Sequence, residues 1–563
     1  MNSAFFKRKI FGIILLNLLL FALPALPTML FILRPGLLEP SESKIVSAAA
    51  TMAETGNYFE PVVNGQKDFS SPPLTYWLTS AGISLFGKNE FAARYFLTFA
   101  IGMAALSVYH IANIFFGMQT ALLSWAVLLS SLLFQMFFSV ISFDAYEAAI
   151  QAFTALTFFH WMYKPAPFKK YVFWTMLGVG VLNTGLVSLL PAAIIVSVAL
   201  YTGEKKRVSG LIFSFKGLAI FLAVTLPWYM VAFLSHRAMP DMAFSVLKLL
   251  ADSNTGPFNR FFHSFFVLFA GLFPWSLFIL YTVKKRYKEL RYNPSTTYLF
   301  SWAFVPLVFY TLAAQKNLFS ILPAFAPLSI LIARELKELF FRSSPSSKTN
   351  RRQAALAILI TTTVCGITSI IIGYKNLAVS RIMSTTALYS GIFWLFGATV
   401  IFAALMLSLY KTILLVTSLL VPGFLLFLLP AALKPSSSTE LLYYPNQKEL
   451  VQKMNLAVSP LQPVVAVNGT INSWPFYSDR PLKYYSDKIE TLPESLDENI
   501  EYINFDQLNE LLKNPVLIVL PEGEKADFLK RFDLAVEEYT SVNGWSIFAA
   551  RHKLASRQNS LGF

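Results

Sequence analysis

Four carboxylates stand together near the start of an otherwise carboxylate-poor stretch. The 563-residue chain has 31 acidic residues, and only 14 of them fall in residues 1–433. Glu39, Glu42, Asp144 and Glu147 lie just beyond the outer ends of the first and third long apolar runs. Acids beside a bilayer are costly, so they point to a site. A carboxylate at such a place could take a proton from an acceptor hydroxyl or hold a cation. Asp144 and Glu147 are three residues apart and share a helix face. The segment Glu39-Pro-Ser-Glu42 opens a stretch that Gly56 closes, with Ile45, Val46, Ala49, Met52 and Ala53 at helical spacing. This reads as an amphipathic helix on the outer membrane surface, its N-terminus open to an anion such as a phosphate. The same acids could instead cap helices at the water interface. In Ser70-Ser-Pro-Pro-Leu-Thr-Tyr-Trp77, adjacent prolines fix a stiff turn. Tyr76 and Trp77 suit the interfacial belt, or a sugar to stack on.

The elements that must position these groups are membrane spans. Hydrophobic residues make up 55% of the chain and charged residues 14%, against roughly 25% charged in soluble domains. Disorder, coiled coil and a purely soluble protein are excluded. Cys365 is the single cysteine, which excludes a disulfide scaffold and a cysteine metal site. Apolar runs of spanning length predict about thirteen transmembrane helices in residues 1–433. Residues 171–201 are too short for two ordinary spans and too long for one. Asn183, Thr184 and Gly185 at their middle predict a re-entrant or tightly turned hairpin; one long tilted helix is the alternative.

The net charge of +15 is unevenly spread. Residues 434–563 hold 17 acidic and 13 basic residues, so the membrane part carries the whole excess. Basic residues cluster before the first span and in 164–170, 204–209, 284–292 and 334–352. With thirteen spans these all fall on the cytoplasmic side, and the C-terminal tail falls outside. The excess is therefore a topology and headgroup signal; membrane lipids are partners and nucleic acid is not. After Pro435-Ser-Ser-Ser-Thr439, the runs 463–467, 515–520 and 545–548 alternate with helical stretches 506–513 and 522–532. This predicts a small soluble α/β domain.

The order of these pieces resembles the GT-C glycosyltransferases, the family 39-like group of lipid A aminoarabinose transferases and protein O-mannosyltransferases. The resembling pieces are Glu39-Pro-Ser-Glu-Ser-Lys44, Gly56-Asn-Tyr through Asn64-Gly65, Pro72-Pro-Leu-Thr-Tyr-Trp77, Leu85 through Arg94, Phe143-Asp-Ala145, Leu226-Pro-Trp228, Gly271 through Trp275, and Lys316 through Pro323. The resemblance implies a transmembrane domain over 1–433, whose first outer loop is 34–91, and an extracytoplasmic domain over 434–563. It implies transfer of a sugar from a polyprenyl-phosphate carrier to a lipid, glycan or protein at the outer face of the bacterial cytoplasmic membrane. Glu42 and Asp144 carry over as catalytic acids. Glu39, Lys44, Tyr76, Glu147 and Lys316 become substrate-binding candidates. No cofactor is implied beyond a possible divalent cation.

The sequence departs from the family pattern at Ser41, where an acid is expected, and at Ser71 and Thr184, where basic residues are expected. Each charged hydrogen bond lost would weaken donor binding by about 1.5–3 kcal/mol. The resemblance therefore leaves a second expectation open, a non-catalytic protein that binds lipid-linked sugars or assembles with a partner. A transporter fits the same composition less well, because transporters place polar groups at the bilayer midplane.

Overall fold

The computed structural model describes residues 3–25, 36–37, 40–131, 134, 140–236, 264–312 except 266, 270 and 274, 318–341, and 363, 367, 370 and 371. In the tail it describes 448, 450–452, 463–468, 471–478, 481–486, 500–542 and 545–553. The expected spans at 387–409 and 412–432, most of that at 354–373, and the candidates Glu39 and Lys316 lie outside the described residues. The chain divides into two compact units, 1–33 with 70–75 and 94–441, and 34–69 with 76–93 and 442–563.

The first unit is helical. Among the described residues, Glu90–Phe116, Pro167–Tyr201 and Phe215–Leu234 are long and apolar enough to cross a membrane. Helix α1 (Ser3–Ala22) runs against the helix Glu90–Phe116. Asn17 Oδ1 lies 2.8 Å from His110 Nε2, and Gly102 lets the Phe21 backbone approach where a Cβ would collide. Farther on, Phe143–Tyr163 and Pro167–Thr184 pack antiparallel. Asn183 bonds the Phe143 carbonyl at one end, and Phe158 meets Phe173 at 6.1 Å toward the other.

Gly185, at φ 74° and ψ −155°, then breaks the apolar run in a conformation that suits glycine. A 3-10 turn, Gly185–Ser188, leads into Leu189–Tyr201. The chain that follows is back where Pro167 began. Trp161 Nε1 donates to Arg207 O at 3.0 Å and Trp174 Nε1 to Leu211 O at 2.9 Å. Residues 171–201 are thus a turned pair of helices, and the long-helix alternative fails.

The same geometry gathers the basic segments at one end. Phe115 packs on Phe159 and Phe159 on Tyr298, while Lys337 Nζ donates to Phe116 O. Arg286, Glu289, Arg334, Glu335, Glu338 and Lys285 form a closed ion network there, with Glu335 fully buried. Asp144 is in the first turn at the other end of its 21-residue helix. At 1.5 Å per residue that helix is about 30 Å long, the thickness of a bilayer's hydrocarbon core.

The second unit combines the first loop with the tail. Its six-stranded sheet has the order Ile500–Ile503, Leu482–Tyr485, Val464–Val467, Val516–Pro521, Trp545–His552, Leu534–Val542. The first four strands are parallel and the last two antiparallel to their neighbours. Both faces are covered, as a largely parallel sheet requires. Leu508, Phe528 and Phe532 from the helices Phe505–Leu511 and Lys525–Phe532 pack one face, and Leu450, Ile471 and Trp474 the other. Asn504 and Gln507 cap the first of these helices reciprocally.

Loop residues join this fold directly. The two-residue turn Asn64-Gly65, both with positive φ, closes a small hairpin of Val62–Val63 and Gln66–Lys67. Asn64 Nδ2 donates to Asn472 Oδ1 at 2.7 Å, and Tyr502 Oη donates to Asn64 O at 2.8 Å. Glu90 accepts from Lys448 and Tyr477, and Tyr477 Oη in turn accepts from Leu37 N.

Candidate functional site

The carboxylates sit in two settings, one in each unit. In the first unit Ser142 caps the helix of Asp144, its hydroxyl accepting from Ala145 N at 3.2 Å. Asp144 is partly exposed at that end, where the helix N-terminus favours negative charge. Glu147 lies one turn deeper and is buried. Gln151 Nε2 donates to Glu147 Oε1 at 2.8 Å, and Asn183 Nδ2 donates to Oε2 at 3.1 Å. The hydroxyls of Ser188 and Thr184 also face this carboxylate. All these partners are neutral, so Glu147 is held by a polar cage rather than by an ion pair.

Asn183 extends the cage. Its Oδ1 accepts from Thr75 Oγ1 at 2.8 Å, and its Nδ2 also donates to Phe143 O at 2.9 Å. Thr75 and Asn183 are fully buried. The double-proline segment is thereby fastened to the helix that carries Asp144. Below the cage lies a small, mainly apolar cavity lined by Gln151, Thr154, Phe158, Phe173, Ser188 and Pro191.

In the second unit, the helix Ser41–Thr55 starts after Pro40 and stops at Gly56, at φ 72°. Those bounds match the sequence reading, but the burial does not. Glu42, Ser43, Ile45, Val46, Ser47, Ala48, Ala49, Ala50 and Met52 are all covered by protein. The helix packs inside its unit instead of resting one apolar face on the bilayer. Glu42 is fully buried and hydrogen-bonded or electrostatically engaged. Lys44, two residues on, pairs with Asp68 at 2.6 Å. Tyr76 is 1% exposed, its phenol pKa pushed up by burial and then by the Asp68 charge. Ser41, at the position of the missing acid, is exposed.

The structure therefore brings Asp144 and Glu147 together on one helix of the first unit, and Glu42, Lys44 and Tyr76 into the second. Sequence reasoning missed Thr75, Gln151 and Asp68 as partners and took Asn183 only as a turn marker. A signal was available: Gln151 follows Glu147 by four residues, the spacing of a helical side-chain pair. Among the described residues no group of three or more His, Cys, Asp or Glu gathers that could hold a metal ion.

Comparison with known proteins bears out the family resemblance. Residues 70–231 match the family described as dolichyl-phosphate-mannose-protein mannosyltransferase. The undecaprenyl phosphate-alpha-4-amino-4-deoxy-L-arabinose arabinosyl transferase of Pectobacterium atrosepticum is 27% identical over 346 residues, 59% of this chain and 60% of that protein. Its namesake from Erwinia tasmaniensis is 28% identical over 323 residues, 55% of this chain and 58% of that one. The chain thus spans about three fifths of the length of these curated relatives. The crystal structure of ArnT from Cupriavidus metallidurans bound to undecaprenyl phosphate superposes with a TM-score of 0.75 at 17% identity, over 98% of this chain and 99% of that one. The chain has the ArnT fold, a helical membrane part with an α/β tail.

Proposed function

We propose that this protein is an integral membrane glycosyltransferase that takes its sugar from a polyprenyl-phosphate carrier. One observation carries the reading: within the fold of a transferase crystallised with undecaprenyl phosphate, a partly exposed carboxylate, Asp144, stands a membrane thickness from the basic end. That arrangement supports chemistry at the outer headgroup level, with the basic segments and the N-terminus cytoplasmic and residues 434–563 extracytoplasmic. The curated relatives support an undecaprenyl-phosphate-linked aminoarabinose or a similar pentose or hexose as the donor.

In the proposed reaction, an acceptor oxygen attacks the anomeric carbon. The bond from that carbon to the phosphate oxygen breaks, its electron pair leaving with polyprenyl phosphate, and the sugar inverts. Glu42 takes the acceptor proton, and Asp144 orients the acceptor directly or through a divalent cation. Lys316 neutralises the leaving phosphate, with Glu39 close to the donor. The donor is already activated, so no nucleotide site is needed. The acceptor is a lipid, glycan or protein.

A second reading is a lipid-linked-sugar-binding protein without turnover, favoured by Ser41, Ser71 and Thr184 at family positions for an acid and two bases. Purified protein incubated with a panel of polyprenyl-phosphate sugars separates the two. Turnover that Glu42→Gln and Asp144→Asn each abolish supports the transferase. Donor binding with no turnover on any donor supports the second reading.

A further inference from the structure

Asn183 makes three hydrogen bonds at the Asp144 end of the first unit. It is fully buried and uses both faces of its carboxamide. The oxygen receives the Thr75 hydroxyl, while the nitrogen serves the Phe143 carbonyl and the Glu147 carboxylate. This task requires an acceptor and two donors on one planar group. A lysine supplies only donors, a carboxylate only acceptors, and a threonine a single donor; among short side chains the asparagine amide meets all three.

The three partners belong to separate pieces of chain. Thr75 ends the rigid Pro72-Pro73 segment, Phe143 precedes Asp144, and Glu147 lies one turn further along the same helix. Nearby, Gly185 sets the direction of the chain immediately after the amide, and Ser188 comes so close to Gly180 that a Cβ there would collide with it. The site is thus built to hold Asn183 in one place. Buried hydrogen bonds of this kind fix geometry, and each one broken is costly.

We propose that Asn183 is a positioning residue for the transfer reaction. It fastens the double-proline segment to the first turn of the Phe143–Tyr163 helix and so sets the aim of Asp144. The proposal rests on the transferase reading for its catalytic consequence, but its structural half can be tested without turnover. A misaimed acceptor group costs rate more than donor affinity, because orientation is expressed in the transition state.

The experiment compares wild type, Asn183→Ala and Thr75→Val as full-length protein in detergent. It reads amide hydrogen exchange together with kcat and donor KM on polyprenyl-phosphate sugars. In Asn183→Ala, exchange is expected to rise in residues 74–76 and 143–147 together, with distant helices unchanged. Its kcat is expected to fall at least about ten-fold while donor KM stays within about three-fold. Thr75→Val, which removes a single bond and the milder perturbation, should show the same pattern at smaller amplitude and keeps the test open if the alanine variant fails to fold. Exchange that is unchanged, or that rises uniformly across the first unit, overturns the proposal. So does a KM increase with kcat preserved. Localised exchange in a protein whose wild type turns over no donor would sink the transferase reading while leaving the fastening role intact.

Discussion

Lys44 and Asp68 form an ion pair at 2.6 Å within the unit made by the first loop and the tail. Lys44 is 44% exposed at its side chain and Asp68 16%. The pair occupies the cation that the sequence offered as a substrate-binding candidate. With Asp68 beside it, Lys44 brings little net positive charge to a donor. Lys44→Met should therefore change donor KM by less than about three-fold, because Asp68 already counters the charge the variant removes. Donor titration of the purified variant checks this, and a rise of ten-fold or more would return Lys44 to the phosphate.

Tyr76 behaves as a core residue. At 1% exposure its ring has no free face, and burial followed by the Asp68 charge keeps its phenol protonated far above neutral pH. Because the folded-state pKa is raised, the tyrosine's contribution to stability is complete below the usual tyrosine value of about 10 and is lost only as the pH climbs beyond it. Tyr76→Ala should cost about 3–5 kcal/mol and Tyr76→Phe about 1 kcal/mol. Thermal melts in detergent at neutral pH read both. If Tyr76→Ala melts like wild type but loses donor affinity, the ring serves substrate instead.

The ion network at the basic end should give the protein an acid limit. Burial raises the carboxyl pKa of Glu338 and Glu289, but the hydrogen bonds and charges of Lys285, Arg286 and Arg334 outweigh it and hold both below the ordinary value. Stabilisation from depressed carboxylates is present above the unfolded pKa, about 4.3 for glutamate, and is lost as pH falls through the lower folded values. Melting temperature should be flat near neutrality and fall below about pH 4. Arg286→Met, which takes one of two cations from the fully buried Glu335 and leaves Lys285 on it, should cost about 1–3 kcal/mol at neutral pH and remove part of that acid dependence. An unchanged acid limb in the variant would place the titrating groups elsewhere.

Much of this layout was legible in the residues. Gly185, flanked by Asn183 and Thr184, marked the turn that divides 171–201. The β-branched runs became the strands Val464–Val467, Val516–Pro521 and Trp545–His552. Other strands were hidden: Leu482-Lys-Tyr-Tyr485 and Ile500-Glu-Tyr-Ile503 are four residues long, each interrupted by a charge, and too short to show a period of two. Leu534–Val542 carries Glu537, Glu538 and Thr540 because it is an edge strand, and charge on an edge is ordinary. The burial of the Ser41–Thr55 helix could not be read either. Small residues such as Ser43, Ser47 and Ala50 are polar or neutral by pattern, yet they let protein pack closely on several sides. The cage around Glu147 depends on residues 75, 147, 151, 183 and 188, a long-range set whose convergence no local spacing announces.

The central claim is that Asp144 serves a sugar carried on polyprenyl phosphate. The most direct measurement is the release of undecaprenyl phosphate from an undecaprenyl-phosphate-linked sugar by purified wild type and Asp144→Asn, with melting temperature and donor binding recorded in parallel. The account predicts release coupled to sugar transfer in wild type. It predicts a loss of at least about a hundred-fold in Asp144→Asn, with fold and donor binding retained. Equal release by both proteins, or none by a wild type that binds the donor, would contradict it.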